Sequence, residues 1–280
     1  VSSYDDWERT FLEYFEQKSI AESIIILNEM KSSHRPSPNA KIKERAIDLI
    51  VQRIKNPRHM LKVCIDLIDS QTPTGREMAS QLLPTIHTDF PIDVSSMLKD
   101  LCNDNNWEVR EWAASGCGQI LSQNFEGFYP TLKMWTQDDS AKVRRAVAIS
   151  AKMASRARKP EWCSPLLSLM DDLIRDSDPY VRKNMGPFAI GDGTLRYYPE
   201  ETIAHISQWA TMPDIFARWN AAMSFSAAEG AKYPEIAEGI LTQLSVDPIS
   251  VVRRAVDSAV RQLQKRLPDF RLGVSFNDTK

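Results

Sequence analysis

Asp104-Asn105-Asn106-Trp107-Glu108-Val109-Arg110-Glu111-Trp112-Ala113-Ala114 recurs along the chain in altered form. DDSAKVRRAVA occupies residues 138–148, DSDPYVRKNMG 176–186 and DPISVVRRAVD 247–257. Each copy sets an aspartate, a variable turn, and then Val-Arg early in what reads as a helix. The arginine is more widespread than the full motif: Arg76, Arg110, Arg144, Arg182, Arg218 and Arg253 stand 34, 34, 38, 36 and 35 residues apart. Arg45 lies 31 before the first, and in the copy around Arg218 the acid is Asp214, only four residues upstream. Self-similarity at such a period is the signature of a solenoid, whose units bury their apolar faces only against their neighbours. The expected fold is all-α: a right-handed α-solenoid of helix pairs with a concave binding face.

Working outward, the chain divides into N-terminal helices of the same solenoid (1–71), the clear repeats (72–268) and a C-terminal tail (269–280). Between Tyr4 and Phe15, Trp7, Phe11 and Tyr14/Phe15 share one helical face. Ser19–Met30, Lys41–Ile54 and His59–Ile68 read as the next helices. They are separated by His34-Arg35-Pro36-Ser37-Pro38 and by Asn56-Pro57, because proline excludes the helix at and before its own position. From Thr72 onward each unit is a helix, a turn and a second helix. Asp104, Asp138, Asp176 and Asp247 stand where an N-cap or turn residue would accept the orphan N–H groups of the second helix. The recurrent arginine is expected to be structural, reaching toward an acid of a neighbouring repeat.

The D-x-x-x-x-V-R-x-x-A pattern and the paired helices resemble HEAT-type repeats. The W-x-x-L-G and T-P-L-H-x-A signatures of the other repeats of this length are absent.

Hydrophobic residues make up 42% of the 280, enough for a sizeable core, and charged residues are 26% with the signs interleaved. No apolar run is long enough to span a bilayer, and residues 1–6 lack the basic start and apolar stretch of a signal peptide. A cytoplasmic protein without membrane contact is expected. Cys64, Cys102, Cys117 and Cys163 form no CxxC pair and have no histidine at ligand spacing, so they read as small buried hydrophobes and no metal is expected. The net charge of −2 is unevenly spread. Residues 1–141 hold 15 Lys/Arg against 21 Asp/Glu, whereas 142–266 hold 18 against 14. The second part is therefore the better candidate for meeting an anionic partner.

Function has to be sought where the repeats differ. The residue after the recurrent arginine is Glu77, Glu111, Arg145, Lys183, Trp219 and Arg254 in turn. Three residues before it come Pro73, Trp107, Ala141, Pro179, Ile215 and Ser250. These positions are four apart and share one helical face, polar and aromatic at its middle, which fits a binding surface. Trp107, Glu111 and Arg145 lie at its centre, with Lys183 and Trp219 in the next repeats. An acid beside a guanidinium also reads as an inter-repeat ion pair, and Trp107 as packing at a repeat junction. Gly186-Pro187-Phe188-Ala189-Ile190-Gly191-Asp192-Gly193 is the second irregularity. Pro187 removes a helical hydrogen bond where the repeat calls for a helix interior. The segment reads either as a functional site or as an early helix end followed by a glycine-rich loop.

The segment Asn105–Pro199 resembles the HEAT-like alkylpurine DNA glycosylases, the AlkD/AlkC superfamily. There a tryptophan is followed four residues later by a catalytic acid, and an arginine comes from the next repeat. Trp107, Glu111 and Arg145 match, carried by Asn-Asn-Trp-Glu-Val-Arg-Glu and Lys-Val-Arg-Arg-Ala-Val, and Tyr180-Val-Arg-Lys-Asn-Met-Gly resembles the following segment. One branch places a second tryptophan after that glycine, where this chain has Pro187; another uses an acid slightly further on, to which Asp192 approximates. The resemblance implies Glu111, with Trp107 and Asp192, as the catalytic group, and Arg145, Lys183, Trp219 and Arg254 as DNA contacts. It also implies double-stranded DNA as partner, hydrolysis of N3- or N7-alkylpurine glycosidic bonds, no cofactor, and a monomer. A HEAT scaffold that binds a protein partner and performs no chemistry is the alternative.

Overall fold

The computed structural model describes residues 5–17, 20–31 and 37–273. Tyr4, Ser19, residues 34–36 of the expected break and 274–280 of the expected tail lie outside the described residues. Contacts group the chain into two compact units, 1–120 and 121–280. The first holds α1 (Asp6–Glu16), α2 (Ile20–Glu29), α3 (Ala40–Arg53), α4 (Pro57–Asp69), α5 (Pro73–Leu82), α6 (Pro91–Cys102) and most of α7 (Trp107–Gln123). The second holds α8 (Phe125–Trp135), α9 (Ala141–Ser155), α10 (Pro160–Leu173), α11 (Pro179–Asn184), a π-helix (Met185–Thr194), α12 (Leu195–Tyr197), α13 (Pro199–Thr211), α14 (Ile215–Ser224), α15 (Pro234–Ser245) and α16 (Ser250–Gln264). The fold is an all-α solenoid of HEAT-like helix pairs. In the first unit α5 packs on α3 and α4; in the second α9 packs on α10 and α11, and α14 on α13 and α16.

The recurring motif explains how each second helix is seated. Its valine (Val109, Val143, Val181, Val252) is fully buried, and the arginine that follows is turned over the inter-helix turn. The aspartate is a turn residue and not the N-cap. Its Oδ1 accepts the N–H two residues on, at 2.7 Å for Asp104–Asn106, 2.9 Å for Asp138–Ser140 and Asp176–Asp178, and 2.8 Å for Asp247–Ile249. Capping falls to a different residue in three of them: Asn106 accepts from Glu108, Ser140 from Lys142 and Asp178 from Tyr180. The helix after Asp247, α16, has no side-chain cap, and α14 is capped by Asp214, which accepts from Phe216 and Ala217.

In three of these turns the other carboxylate oxygen receives the Nε–H of the preceding repeat's arginine, whose Nη2 also reaches Oδ1, at 3.1 Å for Arg144–Asp176. Nε–Oδ2 distances are 2.7 Å for Arg76–Asp104, and 2.6 Å for both Arg144–Asp176 and Arg218–Asp247. The arginines also clasp their own turn: Nη1 donates to the carbonyl six residues upstream for Arg110–Asp104 (2.9 Å), Arg144–Asp138 (2.7 Å) and Arg218–Met212 (2.8 Å). The structural reading of this column therefore holds for these rungs. Arg45 instead reaches back along the chain, to Glu8 of α1 at 2.7 Å.

Pro187 neither stops the helix nor opens a glycine loop. The chain passes from α11 into a π-helix that runs on into α12. A proline cannot donate to the carbonyl four residues back, and its ring needs that carbonyl moved aside; a wider turn meets both demands. Met185, at φ −83° and ψ −81°, marks the transition. The glycines admit α14: a Cβ on Gly186 would sit 2.8 Å from the Asn220 carbonyl oxygen, and one on Gly191 2.4 Å from that of Ser224. Fully buried Asn220 ties the start of the π-helix to α10, accepting the Gly186 N–H (3.0 Å) and donating to the Ile174 carbonyl (2.9 Å). The start of the tail folds back, burying Phe270 and donating the Gly273 N–H to Thr242 Oγ1 at 3.0 Å. Among the described residues no helix is long and apolar enough to cross a membrane.

Burial alone would raise the Asp247 carboxyl, but hydrogen bonds from Arg218 and the Ile249 N–H outweigh it and hold the group below the ordinary aspartate range. A carboxyl depressed in the folded state stabilises above its unfolded pKa and loses that contribution as pH falls through the folded value. Asp247→Asn is expected to lose about 2 kcal/mol at neutral pH. The deficit should shrink below about pH 4, as followed by urea unfolding at a series of pH values; a pH-independent deficit would contradict the ion-pair account.

Candidate functional site

In the first unit, the turn that begins α7 also presents the candidate aromatic and acid. Asp104 holds the Asn106 N–H, and Asn106 Oδ1 accepts from Glu108 (2.8 Å) and Val109 (3.4 Å). Trp107, the first helical residue, is thereby directed outward and is 61% exposed. Glu111 follows one turn later on the same face and is part-buried. Its neighbours are engaged elsewhere: Glu108 accepts from Ser37 Oγ (2.8 Å), and the Trp112 ring lies 4.7 Å below Lys43 Nζ.

The column containing Glu111 is not uniformly a surface. Glu77, its counterpart one repeat earlier, is fully buried and ion-paired to Lys43, which is itself only 3% exposed. Lys43 also donates to Ser37 Oγ at 3.2 Å. Burial pushes the Glu77 carboxyl up against the opposing pull of Lys43, and the nearby Glu108 charge adds to the rise. At Glu77, therefore, the column is interior and its acid is held in an ion pair with Lys43.

In the second unit the candidates meet different partners. Arg145, on α9, is 6% exposed and stacks over Tyr180 at 4.9 Å. Lys183 and Arg254 are exposed. Trp219, on α14, is part-buried with the Arg182 guanidinium over its ring at 5.2 Å. Asp192, in the π-helix, pairs with Lys152 at 2.8 Å, while Arg196 lies 3.9 Å away. Lys152 Nζ also sits 3.2 Å above the centre of the Phe188 ring. Sequence reasoning missed Lys43 and Lys152, and gave Arg182 only a structural place in the arginine column. A lysine facing the interior leaves no periodic trace, since its partner is remote in sequence. Arg182 did leave one, because the acid position of the following repeat holds Met212.

Elsewhere the first unit has a cleft of about 620 Å³ floored by Phe15, Ile20, Ile54 and Val63; it contains none of the candidate residues. All four cysteines are buried, as expected of small hydrophobes, and burial pushes the Cys64 thiol up to about 12. No cluster of His, Cys, Asp and Glu able to hold a metal occurs among the described residues.

Residues 61–152 match the family model for HEAT repeats. The matched stretch contains the Arg76, Arg110 and Arg144 copies together with Trp107, Glu111 and Arg145. Among solved structures, smu.31 from Streptococcus mutans is similar at 16% identity, covering 78% of this chain and 98% of its own, with a TM-score of 0.48. YibA of Escherichia coli is similar at 14% identity over 95% of this chain and 99% of its own, with a TM-score of 0.41. A designed armadillo repeat protein is similar at 17% identity over 71% and 98%, with a TM-score of 0.32. A comparison with curated proteins finds no match.

Lys43→Met would leave Glu77 buried without its counter-ion, at an expected cost of about 3–5 kcal/mol. A carboxyl raised in the folded state is most stabilising below its unfolded pKa, so the variant should be less destabilised at acid than at alkaline pH. Replacing both residues by apolar ones, Lys43→Met with Glu77→Leu, should recover most of the loss in chemical denaturation.

Proposed function

We propose that this chain is a DNA-binding HEAT-repeat protein of the alkylation-repair type, hydrolysing the N-glycosidic bond of N3- and N7-alkylated purines. The reading rests on one observation: an exposed tryptophan, Trp107, one helical turn before a carboxylate, Glu111, at the N-terminal end of α7. That is the pair the resemblance to the alkylpurine glycosylases requires.

Alkylation places a positive charge on the purine and makes it a leaving group. The bond from C1′ to the purine nitrogen breaks with its electron pair going to the base, leaving an oxocarbenium ion on the sugar. The Glu111 carboxylate stabilises that cation, orients a water for attack at C1′ and accepts the proton released. The face of the Trp107 indole adds attraction for the cationic sugar or lesion. Exposed Lys183 and Arg254 contact backbone phosphates, which position the duplex without reading its sequence. Arg145 is mostly buried against Tyr180, and Trp219 carries the Arg182 guanidinium over its ring. Asp192, neutralised by Lys152, anchors the π-helix, so the chemistry rests on Glu111. The partner is double-stranded DNA, bound by a monomer, and no cofactor enters the reaction.

A second reading, a protein-binding scaffold without chemistry, is favoured by Pro187 in place of the second tryptophan. The two are separated by measuring base release from duplex DNA carrying N3- and N7-methylpurines. The native chain should release alkylated base, and Glu111→Gln should lower the rate by about 10²–10³-fold with DNA binding retained. A folded native chain that releases none would establish the scaffold.

A further inference from the structure

The arginine–aspartate ladder has a vacancy in the second unit, and it leaves a guanidinium charged and uncompensated. Arg144 and Arg218 each hold an aspartate of the next repeat. Arg182, the arginine between them, makes no ion pair among the described residues, because Met212 occupies the acid's position. The equivalence is structural as well as numerical. Arg218 Nη1 grips the carbonyls of Met212 and Pro213 at 2.8 and 2.6 Å, just as Arg144 grips those of Asp138 and Asp139 at 2.7 and 3.1 Å. Met212 is therefore placed where a rung carboxylate would stand.

Arg182 is nevertheless held in place. Its guanidinium lies over Phe216 at 4.7 Å and over Trp219 at 5.2 Å, and Nη1 reaches the Ser177 carbonyl at 3.4 Å. Its Nε is buried with no hydrogen-bond partner. An arginine fixed on aromatic faces with unused donors suits an oxyanion supplied from outside, since its planar fork matches phosphate geometry. An open depression of about 500 Å³ adjoins Met212, walled by Met212, Pro213, Asp214 and the exposed Arg175. The one carboxylate there, Asp214, is engaged with the Phe216 and Ala217 N–H groups. Exposed Lys183 adds a further cation next in the chain.

We infer that the vacant rung is an anion site, and that Arg182 binds a backbone phosphate of nucleic acid there. The phosphodiester as occupant rests on the DNA-binding reading; the vacancy itself does not. A phosphodiester brings the single negative charge the ladder lacks at this point, and the excess of basic residues in 142–266 favours a polyanion.

The test fills the rung from within. Met212→Asp supplies the missing carboxylate, and Thr211→Asp adds the same charge one residue out of register. Thermal unfolding without DNA examines the vacancy alone. Met212→Asp should raise Tm above that of the native chain and Thr211→Asp should not; no gain from Met212→Asp overturns the assignment whatever the protein binds. Fluorescence anisotropy with a labelled DNA duplex over a range of salt concentrations examines the ligand. Met212→Asp and Arg182→Gln should each weaken binding about tenfold and flatten the slope of log K against log salt by about 1, the loss of one phosphate contact. Thr211→Asp should change binding less than about threefold and leave the slope intact. Equal weakening by both aspartates would reduce the effect to bulk charge and overturn the site. A stabilised Met212→Asp in a protein that does not bind DNA would overturn the DNA reading and the phosphodiester together. Arg182-dependent binding of labelled poly-glutamate, with none of DNA, would make the occupant an acidic polypeptide and likewise overturn the phosphodiester.

Discussion

At Asp104, Asp176 and Asp247 a single aspartate in the inter-helix turn has two tasks, holding its own turn and receiving an arginine. In Asp176, Oδ1 accepts the Asp178 N–H and Oδ2 the Nε–H of Arg144, whose Nη2 also reaches Oδ1 at 3.1 Å. Turn conformation and repeat stacking are thus set by one group, and neither can relax without disturbing the other. Arg144 closes the arrangement by gripping the carbonyl of its own turn as well, so its turn is linked to that of Asp176. A flexible loop in that position would have to be ordered at an entropic cost in every repeat.

The departures from regularity follow from the same geometry. Where Pro187 forbids an ordinary helical turn, the chain widens into a π-helix that runs on into α12, and Gly186 and Gly191 let α14 pack directly on its backbone. Lys152 then bridges Asp192 and Phe188 across the widened segment. Where Met212 replaces the aspartate, the arginine that loses its partner turns to aromatic rings on the next helix. Local rules are broken in this chain where a compensating contact is present.

The same turn chemistry reaches the candidate site. Asp104 and Asn106 orient the first residues of α7, so a structural device places Trp107 outward and Glu111 one turn behind it. The surface chemistry of such an array can change between repeats without touching the clasp, because the residue beside the clasping arginine is free to vary. Glu77, Arg145 and Lys183 illustrate the range: the first is sealed in a buried ion pair, the second stacked on a tyrosine, the third open to solvent.

Read alone, the sequence determined the repeat, the helix pairs and the structural nature of the recurrent arginine, because these depend on contacts that return at a fixed spacing. Valine before arginine and aspartate six residues upstream are local signals, and they sufficed. The aspartate's two partners, a backbone N–H and a neighbouring arginine, needed coordinates, since an N-cap and a turn residue share one composition. Burial within a single column likewise escaped the sequence: Glu77 and Lys183 stand at equivalent positions, and only Lys43, 34 residues before Glu77, makes the first an interior residue. The outcome at Pro187 was also undecidable locally, because a proline states which hydrogen bond is lost but not whether the packing of α14 will carry the helix through. Tertiary structure decided these points for one physical reason: each depends on a partner far away in sequence that belongs to no repeating pattern.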